Sequence, residues 1–441
     1  MKKLLPFAVS IALGSFSSWA VADDLAQIYQ QAKQNDPQLL QAEARKNAAF
    51  ESIDANRAAL LPQISLKAGY NISRNSDIDS RDTNTLNGSI NLSQQLFEQS
   101  SWINRDIAEI NYRQVDAVYA ATQQGLILRV AQSYFNVLRA ADNLEFVRAE
   151  KAAVGRQLEQ TKQRFEVGLT AITDVHDAQA QFDSVLANEI LAENSVTNSY
   201  EALREITGQA NKDLSELDTK RFSTSRPDKS VQELVKTAEE QNLNLLAARI
   251  GRDGAKEQIS LAETGHLPSL MFTAGYGLND TNYEHGTPPG VQDNFGEFTA
   301  GINLEVPIYS GGGVTAQTKA AQFAYVESSE ALEQTYRSTV KDVRAFYNNI
   351  NANIGALRAY QQTVVSAQSA LEATEAGYDV GTRTIVDVLD ATRRLYDANR
   401  NLSDARYDYI LSVLQLRQAV GTLNEQDVLD INAGLVKAKK S

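Results

Sequence analysis

The chain has 441 residues, of which 55 are acidic and 42 basic, giving a formal net charge of −13, and it contains no cysteine. An acidic balance without a basic stripe argues against a nucleic-acid partner, and a chain without cysteine is not held by disulfides. The three histidines, His176, His266 and His285, are scattered without metal-ligand spacing. The sequence therefore predicts no structural metal site, no cofactor and no enzyme activity.

The first 22 residues have the pattern of a secretory signal peptide. Lys2 and Lys3 precede an apolar run over residues 4–19, and Ala20-Val21-Ala22 forms a small-residue cleavage site. A membrane anchor is the alternative, but the run is short for a spanning helix and ends in that cleavage site. We therefore expect residues 1–22 to be removed on export.

Four later segments alternate apolar and polar residues with a period of two. In the first, Leu66, Ala68 and Tyr70 alternate with Lys67 and Gly69. Each segment has about ten residues, the length of a transmembrane β-strand. A half-buried strand pair in a soluble sheet is the alternative that the alternation by itself leaves open. The predicted strands are about 63–74, 85–96, 269–279 and 297–307, joined in pairs by polar linkers at 75–84 and 280–296.

Most of the remaining chain has a helical pattern. Residues 99–165 and 314–378 contain no proline, and their apolar residues recur at alternating spacings of three and four, as in Tyr134, Val137 and Ala141. This pattern is typical of a coiled coil, and a helix of this length is a rod of ~100 Å. Each rod is predicted to end at a Val-Gly turn, and a returning helix follows over 173–207 or 386–420.

The chain contains two copies of one large unit. Phe165–Ala178 recurs 213 residues later as Tyr378–Ala391, with seven of fourteen positions identical. Such a long period exceeds that of any solenoid and indicates a duplicated unit of short helix, two strands, long helix and returning helix. The predicted division is a first repeat at 23–222, a linker at 223–230, a second repeat at 231–422 and a C-terminal segment at 423–441.

Two repeats provide only four strands, whereas a closed barrel needs about eight or more. Open strand edges would leave backbone groups unpaired in lipid. The strands must therefore close by oligomerisation, with eight from a dimer or twelve from a trimer. Ring closure of strands and helices makes a tube, and a tube with a lumen is a conduit.

The chain resembles the outer-membrane efflux protein family over about residues 25–431. This resemblance implies a mixed α/β membrane protein that forms a homotrimer. Its 12-stranded antiparallel transmembrane β-barrel would lie in the Gram-negative outer membrane and continue into a long periplasmic α-helical coiled-coil barrel. The most specific stretches are Phe165–Gln181, Gly265–Pro268, Pro307–Gly312, Gly377–Ala391 and Gly421–Asp427.

The resemblance also implies a function. Members of this family are exit ducts of tripartite efflux pumps and type I secretion, and they passively conduct drugs or secreted proteins to the exterior. The implied partners are a periplasmic adaptor (membrane fusion) protein, an inner-membrane efflux or ABC-type transporter, and outer-membrane lipid. The alternative is a non-conducting structural or adhesive coiled-coil envelope protein, which accounts for the long helices but not for paired strands recurring in each copy.

Asp387 and Asp390 lie three residues apart and so share one face of the second returning helix. By resemblance they are the cation-binding aspartates of a gated periplasmic entrance, where three copies would form one ring of carboxylates. A ring of like charge in a narrow pore attracts cations. The alternative is a solvated face near a helix N-terminus, where acidic residues are common.

Four residues form a second predicted set: Thr173, Asp174, Tyr378 and Arg383. By resemblance they latch the entrance closed, partly by contacts between protomers, and the rigid fork of an arginine suits such a latch. Thr173 and Asp174 are also predicted to cap the first returning helix. The alternative is a set of ordinary caps and surface pairs worth under ~1 kcal/mol each.

The turns between the helices are the predicted inner tips. The family docks its adaptor there, so these turns are candidate partner sites, with ordinary turn chemistry as the alternative. One departure from the family concerns His176 and Asp177, because Asp177 gives the first repeat its own pair with Asp174 at a spacing of three. The predicted adaptor-binding residues are Val167, Gly168, Leu169, Val380, Gly381 and Thr382.

Overall fold

A computed structural model of the chain describes residues 23–74, 82–284, 286–287 and 290–437. The predicted signal peptide, parts of the two strand linkers and the last four residues of the predicted C-terminal segment lie outside these ranges. The described part is mostly helical. Its helices are α1 (Leu25–Asn35), α2 (Pro37–Ala58), α3 (Gln99–Glu166), α4 (Ile172–Thr207), α5 (Val231–Gln241), α6 (Leu243–Glu263), α7 (Gly313–Asp379), α8 (Ile385–Val420) and α9 (Glu425–Asn432).

Two long antiparallel helical hairpins, α3 with α4 and α7 with α8, form the body of the molecule. At 68 and 67 residues, α3 and α7 are each ~100 Å long. The returning helices α4 and α8 have 36 residues each and reach only about halfway back along them. Each returning helix ends at a glycine in the left-handed conformation, Gly208 or Gly421, which ends a helix without a Cβ penalty.

Short helices cover the rest of the long rods and complete the core. Tyr134 and Val137 of α3 are fully buried with Leu25 and Ile28 of α1 in one apolar cluster. Ala141 of the predicted seam is exposed in the single chain, so its place in a seam between copies stays a prediction. Helix α3 has neighbours on more than one side, so its buried face departs from a strict 3.5-residue seam.

The helices α2 and α6 begin in the same way in the two halves of the chain. The side chain of Asp36 accepts a hydrogen bond from the backbone N–H of Leu39, and the side chain of Asn242 accepts one from Leu245. The carboxylate of Asp36 is buried and also receives two bonds from the guanidinium of Arg129, at 3.0 and 2.9 Å. These caps set the direction in which α2 and α6 run along the part of α3 and α7 that the returning helices do not cover.

The four long strands form one antiparallel sheet of order β1-β2-β4-β5, so β2 and β4 join the two halves of the chain. Much of one face of the sheet is apolar and exposed, as at Leu66 (81% exposed) and Phe298 (70%). No helix among the described residues has the length and hydropathy to cross a membrane. The strands are β1 (Gln63–Ser73), β2 (Thr83–Phe97), β3 (Glu216–Leu217), β4 (Ser269–Tyr283), β5 (Asn294–Glu305) and β6 (Leu435–Val436), the last pairing with β3.

Candidate functional site

The predicted functional residues lie at the tips of the two helical hairpins, far from the sheet. In each tip a glycine with positive φ, Gly168 (77°) or Gly381 (78°), reverses the chain. The turn closes with backbone bonds, such as that from the N–H of Thr382 to the carbonyl of Gly377 at 2.9 Å. Three apolar side chains on these turns have few contacts: Val167 is 69% exposed, and Leu169 and Val380 are 75% exposed.

The two tips contact each other within one chain. The guanidinium of Arg164, near the end of α3, lies over the ring of Tyr378 at 4.5 Å from its centroid. The same group bonds the carbonyl of Tyr378 at 3.4 Å and the carboxylate of Asp379 at 3.2 Å. The ring of Tyr378 is buried, and its hydroxyl has no hydrogen-bond partner within the described part of the chain.

A second polar contact links the hairpins about one to three turns from the tips. The side-chain amide of Gln157 donates to a carboxylate oxygen of Glu375 at 3.3 Å. Sequence reasoning missed Gln157, Glu375 and Arg164. Spacing gives only that Gln157, seven residues before Arg164, shares its face of α3, and it does not give their partners on α7.

Asp387 serves the start of α8. Thr384 is the N-cap of α8, and its hydroxyl accepts a bond from the backbone N–H of Asp387. In return, the carboxylate of Asp387 accepts bonds from the backbone N–H and the hydroxyl of Thr384, both at 2.9 Å. These two bonds lower the pKa of Asp387 below its ordinary value, and the bond from the Thr384 backbone has the larger effect. Both bonds favour the ionised form of this carboxylate and hold it against the start of α8.

Asp390 lies one turn further along α8 and is half-buried. Its carboxylate accepts a bond from the guanidinium of Arg393 at 2.9 Å. Each chain thus places two carboxylates on this stretch of helix, and one of them is paired with a neighbouring cation. Within the described ranges, no group of three or more His, Cys, Asp or Glu side chains could hold a metal ion.

The structure corrects the predicted cap of α4. Helix α4 begins at Ile172 after Ala171, and no side chain caps it, so Thr173 and Asp174 are first-turn residues and not caps. The carboxylate of Asp174 instead accepts a bond from the hydroxyl of Thr170. The reason is local, because the tight turn brings the hydroxyl of Thr170 close to that carboxylate, where it competes with the backbone N–H groups at the start of α4.

The four predicted latch residues lie in two groups within one chain. Thr173 is exposed and Asp174 bonds Thr170, while the stem of Arg383 lies against the backbone of Gly377. Among the described residues, no hydrogen bond or ion pair joins Tyr378 or Arg383 to the other two. The extra residues of the first repeat, His176 and Asp177, are exposed on the same turn of α4.

Comparison with known proteins places this geometry in a family. The model of the outer membrane efflux protein family matches residues 28–209 and 234–422. The outer membrane protein TolC of Vibrio cholerae is 66% identical over 440 residues and is covered completely, as is this chain. The protease secretion protein PrtF of Dickeya chrysanthemi is 27% identical, with 98% of this chain and 94% of PrtF covered.

A solved structure has the same fold. The crystal structure of the CmeC outer membrane channel of Campylobacter jejuni superposes with a TM-score of 0.77 at 17% identity, covering 99% of this chain and 98% of CmeC. The family model covers most of the chain, in two blocks that correspond to its two halves. The chain therefore belongs to the outer membrane efflux protein family: it is an outer-membrane protein and not an enzyme.

Proposed function

We propose that three copies of this chain close into one duct that carries drugs and secreted proteins from an inner-membrane transporter to the exterior. The observation that carries the proposal is the four-stranded sheet. Its outer strands, β1 and β5, each have one edge without a partner among the described residues, and its apolar face is exposed. In lipid such edges must be paired, and three copies supply the twelve strands of a closed barrel.

The helical hairpins supply the second part of the duct. Each chain contributes two hairpins, so three copies contribute six, which would form a periplasmic tunnel of ~100 Å, the length of α3 and α7. The contacts of Arg164 with Tyr378 and of Gln157 with Glu375 hold the two hairpins of one chain together at the inner end. The tunnel would therefore be narrowest at the tips.

The latch of the entrance would act partly between copies. Tyr378 has a hydroxyl without a partner, and Arg383 has no ion pair within the described part of the chain. Thr173 and Asp174 lie on the neighbouring hairpin with acceptor oxygens available. In a closed ring the exposed guanidinium of Arg383 would donate to these oxygens on a neighbouring copy, while the buried Tyr378 would act within its own chain. We expect Arg383→Ser with Tyr378→Phe to raise the conductance, and unchanged conductance would contradict the latch.

Asp387 and Asp390 would form the cation-binding ring below this latch. Both are partly accessible, and the Thr384 contacts hold Asp387 in one orientation. Six carboxylates from three copies in one constriction would favour cations and oppose anions. The nearby Arg393 balances part of that charge in each chain.

Partners would engage the exposed tips. Val167, Leu169 and Val380 form a small apolar patch around two glycine turns, which fits docking of a periplasmic adaptor protein. The similarity to a protease secretion protein supports secreted proteins as a further cargo, alongside the drugs that an efflux protein exports. An inner-membrane transporter would supply the energy, because the chain itself is not an enzyme.

The test is single-channel recording of the mature protein in a planar bilayer, with and without a multivalent cation on the periplasmic side. We expect small, stable, cation-selective steps that the cation blocks, and block should disappear in Asp387→Ala with Asp390→Ala. A folded, membrane-inserted oligomer without current, even when the latch is removed, would leave the non-conducting structural role instead.

A further inference from the structure

We propose that β5 of one copy pairs with β1 of the next in the register that places Glu305 opposite Lys67, and that this ion pair selects the register. The inference rests on the ring assembly proposed above and goes beyond it by assigning the residues at the interface. β1 and β5 are the two outer strands of the sheet in one chain. A strand with an unpaired edge is a template for another strand, here from a second copy.

The register follows from the duplication of the sheet. The sequence of β1 recurs in β4 at an offset of 206 residues, as Ala68 recurs at Ala274. The sequence of β2 recurs in β5 at an offset of 212 residues, as Ser89 recurs at Gly301. These two offsets relate every position of the first hairpin to one of the second.

The observed pairing obeys the same offsets. In the first hairpin Ile64 pairs with Leu92. Adding the two offsets gives Leu270 and Leu304, which are paired in the second hairpin. The two hairpins are therefore structural copies in register as well as in sequence, and the offsets can be used at the junction between them.

The junction between the hairpins of one chain is the pairing of β2 with β4, in which Ile90 lies opposite Tyr276. The junction between copies is the equivalent pairing of β5 with β1. In it the counterpart of Ile90 is Ile302, and the counterpart of Tyr276 is Tyr70 of the next copy. Both pairs belong to the apolar face, so this register continues the alternation of the sheet across the interface.

The same rule places opposite charges against each other. Ser93 pairs with Thr273 within the chain, and their counterparts between copies are Glu305 and Lys67. Both charged side chains are exposed on the polar face, and neither forms an ion pair within the described ranges. The pair of residues at this position is thus uncharged within one chain, where it is Ser93 and Thr273. Between two copies it consists of the opposite charges Glu305 and Lys67.

Slipped registers lose this match. A shift of one residue places Lys67 opposite Leu304 and exchanges the apolar and polar faces. A shift of two residues keeps the faces but places Lys67 opposite Asn303 or Pro307, and a proline cannot donate to the ladder. Opposite charges directly across two strands favour pairing, and like charges disfavour it.

The experiment is disulfide cross-linking, for which the chain is suited because it has no cysteine of its own. We expect Lys67→Cys with Glu305→Cys to form bonds between copies, so that unreduced protein runs as a covalent trimer and reduced protein as a monomer. The matched control is Ser93→Cys with Thr273→Cys, the equivalent pair within the chain. It should oxidise without linking copies.

A second cysteine pair covers the other geometry of an antiparallel ladder, in which opposite residues alternate between two spacings. Ala68→Cys with Leu304→Cys should link copies under the conditions in which the equivalent cysteine pair between β2 and β4 of one chain oxidises. Lys67→Cys with Gly301→Cys, four residues out of register, should not. Cross-linking of that shifted pair, or a trimer that conducts while neither matched pair links, would overturn the register and leave the duct intact. A monomer without current would instead contradict the proposed function.

Charge reversal tests the selecting role of the pair. Lys67→Glu or Glu305→Lys alone places like charges at every junction of the ring, so we expect loss of the trimer that resists detergent at a temperature the parent chain withstands. The double variant should restore it. A double variant no better than either single variant would show that the two side chains do not face each other.

Discussion

The guanidinium of Arg164 lies over the ring of Tyr378, 4.5 Å from its centroid, and so joins the tips of the two helical hairpins of one chain. A cation in this position is worth about 0.5–2 kcal/mol, depending on its exposure to water. Arg164→Ala is therefore expected to loosen the entrance and to raise single-channel conductance. Arg164→Lys, which keeps a charge but loses the planar fork, should have an intermediate effect. Equal conductance in all three proteins would contradict a role of this contact in closure.

The entrance carboxylate of Asp387 is expected to respond to pH in a defined direction. The folded pKa of Asp387 is lowered by its bonds to Thr384, so their stabilising effect is complete above the unfolded carboxyl value and is lost as pH falls through the folded value. The part of the cation block that depends on Asp387 should therefore persist as the periplasmic side is acidified to about pH 4, near the ordinary pKa of aspartate. Recordings over a pH series test this, and Thr384→Ala should move the loss of block to higher pH.

The apolar residues at the tips are expected to affect partner binding without affecting folding. Leu169→Asp with Val380→Asp places charge on an exposed apolar patch, so adaptor binding should fall at least about tenfold, or 1.4 kcal/mol. Pull-down or interferometry with the purified adaptor measures the change. Trimer formation and thermal unfolding serve as the controls and should stay at the parent values. Full adaptor affinity in this variant would exclude the tips as the docking site.

The buried carboxylate of Asp36 is expected to matter for stability. Asp36→Ala removes both the cap of α2 and the partner of Arg129, and it should cost about 3 kcal/mol in the free energy of unfolding. Asp36→Asn is the matched control, because Asn242 caps α6 in the second half of the chain. It keeps the cap and should cost less. Urea unfolding followed by circular dichroism compares the two, and equal losses would indicate that the cap contributes nothing.

Two glycines at equivalent helix ends are expected to differ in tolerance. Both Gly208 and Gly421 have positive φ, so alanine at either should cost about 1–2 kcal/mol. A Cβ on Gly421 would lie 2.2 Å from the carbonyl oxygen of Gln241, whereas on Gly208 the nearest atom is the Cβ of Asn35 at 3.3 Å. Gly421→Ala should therefore lose about 3 kcal/mol in total and Gly208→Ala less. Thermal unfolding of the two variants side by side measures the difference.

The long helices of this molecule could be predicted from the sequence more accurately than the cap of α4. The bounds of α3 and α7 follow from long periodic stretches without proline that stop at a Val-Gly turn. The prediction that Thr173 and Asp174 cap α4 is wrong. The carboxylate of Asp174 accepts a bond from the hydroxyl of Thr170 in the tight turn and not from a backbone N–H at the start of the helix. The place of Ala141 in a seam stays a prediction, because this residue is exposed in one chain and the seam was predicted to need partner helices.

The sequence by itself determined the long helices, the four long strands, their duplication and the two glycine turns, because periodicity and backbone conformation depend on residues close together in the chain. Only the tertiary structure decided that β2 pairs with β4, that Arg164 contacts Tyr378 and that Gln157 bonds Glu375. Arg164 and Tyr378 are 214 residues apart, and Gln157 and Glu375 are 218 apart. No local pattern specifies such contacts, since they form only when two separately specified hairpins pack side by side.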